Sequence, residues 1–364
     1  MKIAILGTRG IPANYGGFET FAEECAARLA ERGHSVTVYC RSHYVAKTLK
    51  RHRGADLVVL PTLEWKYTDT VAHCALSVMH ALPRRFDVIL ICNAANSPFA
   101  WIPRLFGTKV IVNVDGIERL RRKWNRIGRA YYRVCEYLSL WFPDAIVTDA
   151  ESIRQYYRDR HGHDSTFIPY GAVTQKPPGR SALDSLGLAP GEYFLYVSRF
   201  EPENNPHLVV AAFEKVQTPR RLVMLGDAPY SRTYIRQLKD TRDPRIVFPG
   251  AIYGERYREL LANAFCYIHA TEVGGTHPAL IEAMGQGNIV VANGTPENAE
   301  VVGSSGLLYR KNDGEDLARL LQQIVDCPDK FAPLKAAALQ RASAAYSWDA
   351  VVSRYEQLFA RLRQ

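Results

Sequence analysis

An α/β architecture of two doubly wound parallel-sheet domains is what this sequence predicts, on three observations. Short β-rich runs alternate with helix-length stretches from the first residues onward, the alternation restarts after Ile168-Pro169-Tyr170-Gly171, and 364 residues are too many for one typical core. Two domains of roughly 150–180 residues fit that length. The expected division is an N-terminal domain over 1–172, a C-terminal domain over 173–345 and a closing segment over 346–364.

In the first domain, residues 2–6, 35–40, 57–60, 88–92, 110–113 and 145–148 read as buried strands, each a short Val-, Ile- and Leu-rich run with room for a crossover helix before the next. The first helix is clear. Phe18, Phe21, Ala22, Cys25 and Leu29 share one face, Glu19, Glu23 and Glu24 lie near the start, and Gly33 ends it. The linker Lys176-Pro177-Pro178-Gly179 follows, and residues 194–197, 221–225, 245–248, 266–269 and 289–292 read as the strands of a second such unit. In open parallel sheets ligands bind beyond the carboxyl ends of the strands, so two such domains facing one another would make a cleft with loops from both.

The net charge of +9 is uneven: residues 1–175 carry 24 Lys+Arg against 16 Asp+Glu, the remainder 22 against 21. Residues 119–133 hold seven basic side chains and no acidic one, interleaved with Trp124, Tyr131 and Tyr132, and the chain continues into the apolar, aromatic residues 134–142. Arg119 to Phe142 therefore suits contact with anionic lipid headgroups, and the charge-dense Arg121, Arg122 and Lys123 are where charge reversal would test it. A helix packing its apolar side on its own domain is the plain alternative, and nucleic-acid phosphate a third. The near-neutral second half argues against nucleic acid. No run approaches the ~18 apolar residues that cross a bilayer, and the start lacks the apolar region of a signal peptide. Seven cysteines without a CxxC spacing read as buried thiols in a reducing compartment. The expected location is cytoplasmic, peripheral on the inner face of the cell membrane.

Two glycine loops carry the chemistry. The first strand runs into Gly7-Thr8-Arg9-Gly10-Ile11-Pro12-Ala13-Asn14-Tyr15-Gly16-Gly17, whose spacing is not that of a dinucleotide fingerprint. Gly16 and Gly17 stand just before the helix, where their N–H groups could approach a phosphate or sugar hydroxyl, and Arg9 adds positive charge. In the second domain Thr271-Glu272-Val273-Gly274-Gly275-Thr276-His277-Pro278-Ala279-Leu280-Ile281-Glu282-Ala283-Met284 sets a glycine turn, a helix start and a carboxylate within about one helical turn. A glycine turn before an ordinary amphipathic helix is the plain reading of that segment alone. Asn93, Asn96 and Ser97 follow the 88–92 strand and could bind acceptor hydroxyls or form an ordinary polar turn; His269, ending a strand, could be a buried imidazole or a ligand contact.

These segments resemble a GT-B-fold glycosyltransferase of the large family 4 kind, specifically its bacterial rhamnosyltransferase-type subgroup, which opens with a segment like residues 7–21. The resemblance covers nearly the whole chain and includes Tyr196-Val197-Ser198-Arg199-Phe200-Glu201-Pro202-Glu203-Asn204-Asn205. It implies two Rossmann-like domains facing across a cleft, an N-terminal acceptor domain, a C-terminal nucleotide-sugar domain, and a closing helix that returns to the first. Arg199 would then meet the donor diphosphate and Glu282 the donor ribose. Gly275, Thr276, His277, Pro278, Ala279 and Leu280 would surround the transferred sugar and diphosphate, with Gly16 and Gly17 approaching the phosphates from the other domain. An arginine and helix N-terminal amides can stabilise a leaving diphosphate without a metal, and no DxD motif occurs.

Three positions depart from the family pattern. Asn204 stands where many relatives have lysine, Gly274 stands at the first of two glutamates separated by seven residues with Glu272 two residues earlier, and Asp115 replaces an active-site histidine. Asp115 is the candidate for orienting the acceptor hydroxyl or the sugar, or it shapes a turn with Gly116. The expectation is therefore a metal-independent, retaining glycosyltransferase moving L-rhamnose from dTDP-L-rhamnose to a lipid-linked saccharide in cell-surface polysaccharide synthesis, the nucleotide sugar being co-substrate and no further cofactor needed. Its catalytic set is Asp115, Arg199 and Glu282. The alternatives are a UDP- or GDP-hexose donor, or a non-catalytic nucleotide-sugar or saccharide-binding partner.

Overall fold

A computed structural model describes residues 1–65, 68–177, 179–228 and 231–364; Pro178 of the expected linker lies outside the described residues. The chain forms two compact units, Met1–Tyr170 with Trp348–Gln364, and Gly171–Ser347.

The first unit is an eight-stranded sheet in the order β3-β4-β2-β1-β5-β6-β7-β8. Its strands are β1 (Lys2–Leu6), β2 (Ser35–Arg41), β3 (Arg51–His52), β4 (Ala55–Leu60), β5 (Val88–Cys92), β6 (Lys109–Val114), β7 (Ala145–Thr148) and β8 (Thr166–Phe167). All pairs are parallel except β3 with β4. The central strands are near-continuous apolar runs because helices cover both faces: β5 is buried at every residue. β3 was not expected. It is two residues long, and Arg53 and Gly54 turn it back on β4 with φ of +46° and +84°.

The first helix spans Gly17–Glu31 with Phe21, Ala22, Cys25 and Leu29 buried. Gly33, at φ +84°, ends it as expected. The basic stretch is not one helix. A short turn at Glu118–Leu120 comes first, and the helix Arg126–Leu138 starts at Asn125, whose Oδ1 accepts the Gly128 N–H at 2.9 Å.

The closing helix Trp348–Arg363 belongs to the first unit. Val351, Val352, Tyr355, Leu358 and Phe359 are its buried stripe. Tyr355 lies 5.4 Å from Phe21 between ring centroids, and its hydroxyl accepts from the Asn113 amide at 2.7 Å. Each such buried side chain contributes about 1.5–3 kcal/mol. The ion pairs Arg32–Glu356 at 2.5 Å and Arg363–Asp87 at 3.1 Å are partly exposed and worth less, so they set register more than strength.

The second unit is a six-stranded parallel sheet in the order β11-β10-β9-β12-β13-β14. It comprises β9 (Tyr193–Val197), β10 (Arg221–Leu225), β11 (Ile246–Gly250), β12 (Cys266–His269), β13 (Ile289–Asn293) and β14 (Leu307–Tyr309). Its core is rich in Phe194, Phe200, Phe213, Leu222, Ile268, Val291 and Leu321. In each unit strand order reverses beside the first strand, between β1 and β5 and between β9 and β12, which is where such sheets open a ligand crevice.

Burial tends to raise the Glu356 carboxyl, but hydrogen bonds from His34 and Arg32 outweigh it and hold the group below the usual carboxylate range. A depressed folded pKa stabilises above the ordinary value of 4.5 and is lost as pH falls through the folded one. Glu356→Gln is therefore expected to lower Tm at neutral pH and to shrink toward no difference in strong acid. Thermal melts of both proteins across pH 2 to 7 measure this.

Candidate functional site

The second unit brings two loops to its switch point. Arg199 follows β9, the glycine turn follows β12, and these strands are neighbours in the sheet. One backbone and one side-chain bond tie the loops: the Glu272 N–H donates to the Glu203 carbonyl at 3.0 Å, and the Asn205 Nδ2 donates to the Ala270 carbonyl at 3.0 Å. Arg199 is half-buried, with Nη2 3.6 Å from Glu201 Oε2. The β10 end presses on the same loop. Gly226, at φ +156°, lies so close that a Cβ there would sit 1.9 Å from the Ser198 carbonyl.

Asn204, which the resemblance places among the donor-binding residues, is tied into its own loop. It is buried, its Nδ2 donates to the Arg199 carbonyl at 2.7 Å, and its own carbonyl accepts from the Tyr196 hydroxyl at 2.7 Å. The amide thus fixes the backbone that carries the arginine.

Gly274 is required by its backbone. Its φ is +154°, which L side chains rarely adopt, and a Cβ would stand 2.4 Å from His277 Cε1, so a glutamate here would be strained and would displace that ring. Glu272 accepts from the Asn312 amide at 2.5 Å and thereby anchors the turn. His277 precedes the helix Pro278–Gly285, with Pro278 at its first position. Its ring lies 4.7 Å from that of His269, which burial lowers to about 3 and so keeps neutral. His269 is buried, and its Nε2 has no hydrogen-bond partner among the described residues. Gly275 and Thr276 are buried within the turn, and Ala279 is half-buried in the first helical turn. Leu280 departs from the expectation: its side chain is in the core and its N–H donates to the His277 carbonyl at 3.0 Å. Pro278 has no N–H to offer.

Glu282, one turn on, is half-buried and accepts from the Tyr257 hydroxyl at 2.7 Å. Burial and the Glu282 charge push Tyr257 well above an ordinary tyrosine and raise Tyr267 as well, so both phenols stay protonated beside the carboxylate.

In the first unit the switch point lies between the ends of β1 and β5. Gly7, at φ +90°, passes so near that a Cβ would lie 2.2 Å from the Cys92 carbonyl. The loop beyond it is held by the helix it precedes: Glu19 accepts the Arg9 N–H at 2.8 Å and Glu23 the Ala13 N–H at 2.6 Å. Arg9 is engaged, its guanidinium 3.4 Å from the Tyr15 ring centroid and 5.3 Å from that of Tyr44. Gly16 is different from Gly7. Its backbone is extended, and a Cβ would meet only Glu19 Oε2 at 3.5 Å, an ordinary contact, so the fold does not demand glycine there. Gly17 opens the helix.

Asn93, at φ +76°, is half-buried and accepts the Ala95 N–H at 2.8 Å. Asn96 is fully buried and donates to the Cys92 carbonyl at 2.8 Å; Ser97 is buried too. Both amides therefore hold the turn, and the buried Asn96 Oδ1 has no hydrogen-bond partner among the described residues. Asp115 is half-buried beyond the end of β6, and its charge joins burial in raising Tyr170 and Cys92. The Gly116 turn borders a small cavity lined by Arg119, Tyr132 and Glu136 among others.

Some residues of these sites had no mark in the sequence. Tyr257 is 25 positions from Glu282. Asn293 and Asn298 donate to the Ala270 and Thr271 carbonyls at 3.1 Å each, and both carboxylate oxygens of buried Glu203 have no hydrogen-bond partner among the described residues.

Comparison with known proteins matches residues 191–327 to the family "Glycosyl transferases group 1" and residues 1–173 to "Domain of unknown function (DUF1972)". A curated relative, O-antigen chain mannosyltransferase B of Escherichia coli, is 26% identical over 192 residues, 51% of this chain; the chain spans about half of that relative, 49%. Among solved structures, sucrose-phosphate synthase from Thermosynechococcus elongatus has a TM-score of 0.83 at 19% identity, covering 99% of this chain and 98% of its own. HepE of Anabaena in complex with UDP-glucose has 0.81 at 18%, covering 99% and 100%. WaaG, a glycosyltransferase involved in lipopolysaccharide biosynthesis, has 0.73 at 14%, covering 100% and 99%. The fold is that of GT-B glycosyltransferases, and residues 191–327 are similar to the group 1 glycosyl transferases.

Gly274→Glu, which restores the common family residue, is expected to cost about 2 kcal/mol or more and lower Tm by roughly 5 °C. Gly16→Ala is expected to leave Tm unchanged. Differential scanning calorimetry of the two variants beside the parent protein tests the contrast.

Proposed function

We infer that the protein transfers a sugar from a nucleotide-sugar donor to a lipid-linked saccharide of a cell-surface polysaccharide. The observation that carries this reading is the switch point of the second unit, where the Arg199 loop and the turn leading to Glu282 are hydrogen-bonded to one another. An arginine can pair with a diphosphate, and a carboxylate one turn into the helix can accept ribose hydroxyls. Tyr257 orients that carboxylate. The helix that starts at Pro278 would turn the positive end of its dipole toward the negative diphosphate.

In this reading Asn204 serves by holding the Arg199 backbone, and Gly275, Thr276, His277 and Ala279 surround the sugar and phosphates. Gly16 and Gly17 in the first unit offer a backbone approach to phosphate, which explains a glycine at 16 that packing does not require. Asp115 orients the acceptor or the sugar. Transfer with retention follows a front-face course: the bond from the anomeric carbon to the diphosphate oxygen breaks, the bond to the acceptor oxygen forms on the same face, and the acceptor proton passes to the leaving oxygen.

For the donor we favour dTDP-L-rhamnose, on the resemblance of residues 7–21 to the rhamnosyltransferase-type subgroup. The alternative of a UDP- or GDP-hexose is supported by the UDP-glucose complex of HepE and the mannosyltransferase relative. A lipid-linked acceptor is supported by the O-antigen relative and by the basic stretch Arg119–Phe142, which suits an anionic membrane surface. No helix among the described residues is long and apolar enough to cross a membrane.

A donor panel of dTDP-L-rhamnose, UDP-glucose, GDP-mannose and the free nucleotides is expected to raise Tm most with the true donor. Arg199→Ala is expected to lower kcat by about 100-fold, the scale of losing one donor to developing charge. Glu282→Gln should weaken nucleotide affinity by roughly tenfold, about 1.4 kcal/mol. Gly16→Ala, folded normally, should lose turnover. Release of nucleoside diphosphate with a lipid-linked acceptor is the measurement, and absence of release with every donor would favour a binding role.

A further inference from the structure

The helix Arg126–Leu138 shows two faces to solvent in addition to the one it buries. Gly128, Tyr132 and Cys135 are buried on one side. At 3.6 residues per turn, Ile127, Val134 and Tyr137 fall within an arc of about 80° on the other, and Arg126, Arg129 and Arg133 within the adjoining arc of about 60°. Ile127 is 80% exposed, and all three arginines are exposed. A stripe that packed on its own domain would be covered. Two arginines nearer the start are used internally instead: Arg119 pairs with Glu136 at 3.0 Å, and Arg121, buried, pairs with Glu118. Arg121 is thus no headgroup contact, and the outward charge sits on the helix beyond it.

The apolar stripe continues onto a second segment. Trp141 follows the helix at 63% exposure, and beside it stands the turn after the helix Trp101–Arg104, which shows Leu105 at 71% and Phe106 at 67%. The two segments are pinned together. Arg104 donates to the Trp141 carbonyl at 3.2 Å and the Phe142 carbonyl at 2.7 Å, pairs with Asp144 at 3.2 Å, and the Trp101 ring lies 6.4 Å from Phe142. Solvated proteins seldom expose large apolar side chains contiguously, and a basic band beside them selects an anionic, amphiphilic partner.

We propose that Leu105, Phe106 and Trp141 form a wedge that inserts into the acyl boundary of an anionic bilayer, with Arg126, Arg129 and Arg133 on the headgroups beside it. Attachment is therefore partly hydrophobic and survives salt that screens the arginines. The surface gives the proposed transfer to a lipid-linked acceptor its location, but it is tested without donor or acceptor, so either reading can fail alone.

Flotation of the full chain with vesicles of phosphatidylglycerol and phosphatidylcholine is expected to show binding that a residual fraction retains in 0.5 M NaCl, and no more than that fraction on pure phosphatidylcholine. Leu105→Ser with Phe106→Ser, both exposed and so expected to keep the parent Tm, should weaken the salt-resistant part at least tenfold. Arg126→Glu with Arg129→Glu should cut capture at low salt to no more than that residual fraction. Lipids brominated in the acyl chain should quench tryptophan fluorescence, less so in Trp141→Phe. Binding lost entirely in salt, unchanged partition of the serine variant, or a dimer in sedimentation that the serine variant breaks would each overturn the proposal.

Discussion

Buried carbonyls at the ends of parallel strands need donors, and asparagine amides supply them throughout this protein. A parallel strand that turns into a loop leaves C=O groups that the next element does not reach, and an unpaired buried one is costly. Asn96 meets the Cys92 carbonyl after β5, Asn204 the Arg199 carbonyl after β9, and Asn205 with Asn293 the Ala270 carbonyl after β12. These are the loops of the two switch points. An amide suits the task because it can donate and accept at once: Asn312 accepts from Asn205 and Asn293 through Oδ1 and donates to Glu272 through Nδ2. Remove the amides and the sheets could remain, but the loops that carry Arg199 and the glycine turn would lose their fixed course.

Close backbone approach is the second constraint, and it separates the glycines that packing requires from those it does not. Gly7 and Gly226 lie against neighbouring strand-end carbonyls, and Gly274 against the His277 ring; each also has positive φ. Gly16 meets neither condition. The sequence shows a cluster of glycines at one strand end but cannot sort them, because what a Cβ would strike is set by residues some 80 positions away, Cys92 for Gly7.

Much of the fold was legible for a physical reason: strands buried on both faces must be apolar along their length, so β1, β5, β6, β9, β10, β12 and β13 stand out as runs. The short β3, β8 and β14 do not, being two or three residues long and defined by pairing alone. Of the site, Arg199, Glu282 and the glycine turn could be found because their types and spacing resemble a family. Tyr257 and the asparagine clamps could not, since a phenol or an amide becomes a partner only through a distant neighbour. The basic stretch lies between these cases. Its charge was plain, and Glu118 three residues before Arg121 is the i, i+3 spacing of an ion pair, a signal that the densest basic cluster is partly neutralised within the fold.

Asn204 shows how the amide constraint and the chemistry meet. A lysine there would bring an ammonium beside a buried carbonyl, a charge that burial penalises unless an anion faces it. Asparagine carries no such penalty and holds the Arg199 carbonyl whether or not a ligand is bound. The loop is therefore ordered by its own hydrogen bonds, where a lysine would leave part of that order to the ligand. The consequence is a site with less positive charge and more preorganisation, since ordering done in folding does not have to be done again on binding. Gly274 and Glu272 follow the same logic: the carboxylate absent from 274 is found at 272, bound to Asn312 and fixing the turn. The Glu272 carboxylate is thus part of the scaffold of the turn that leads to Glu282.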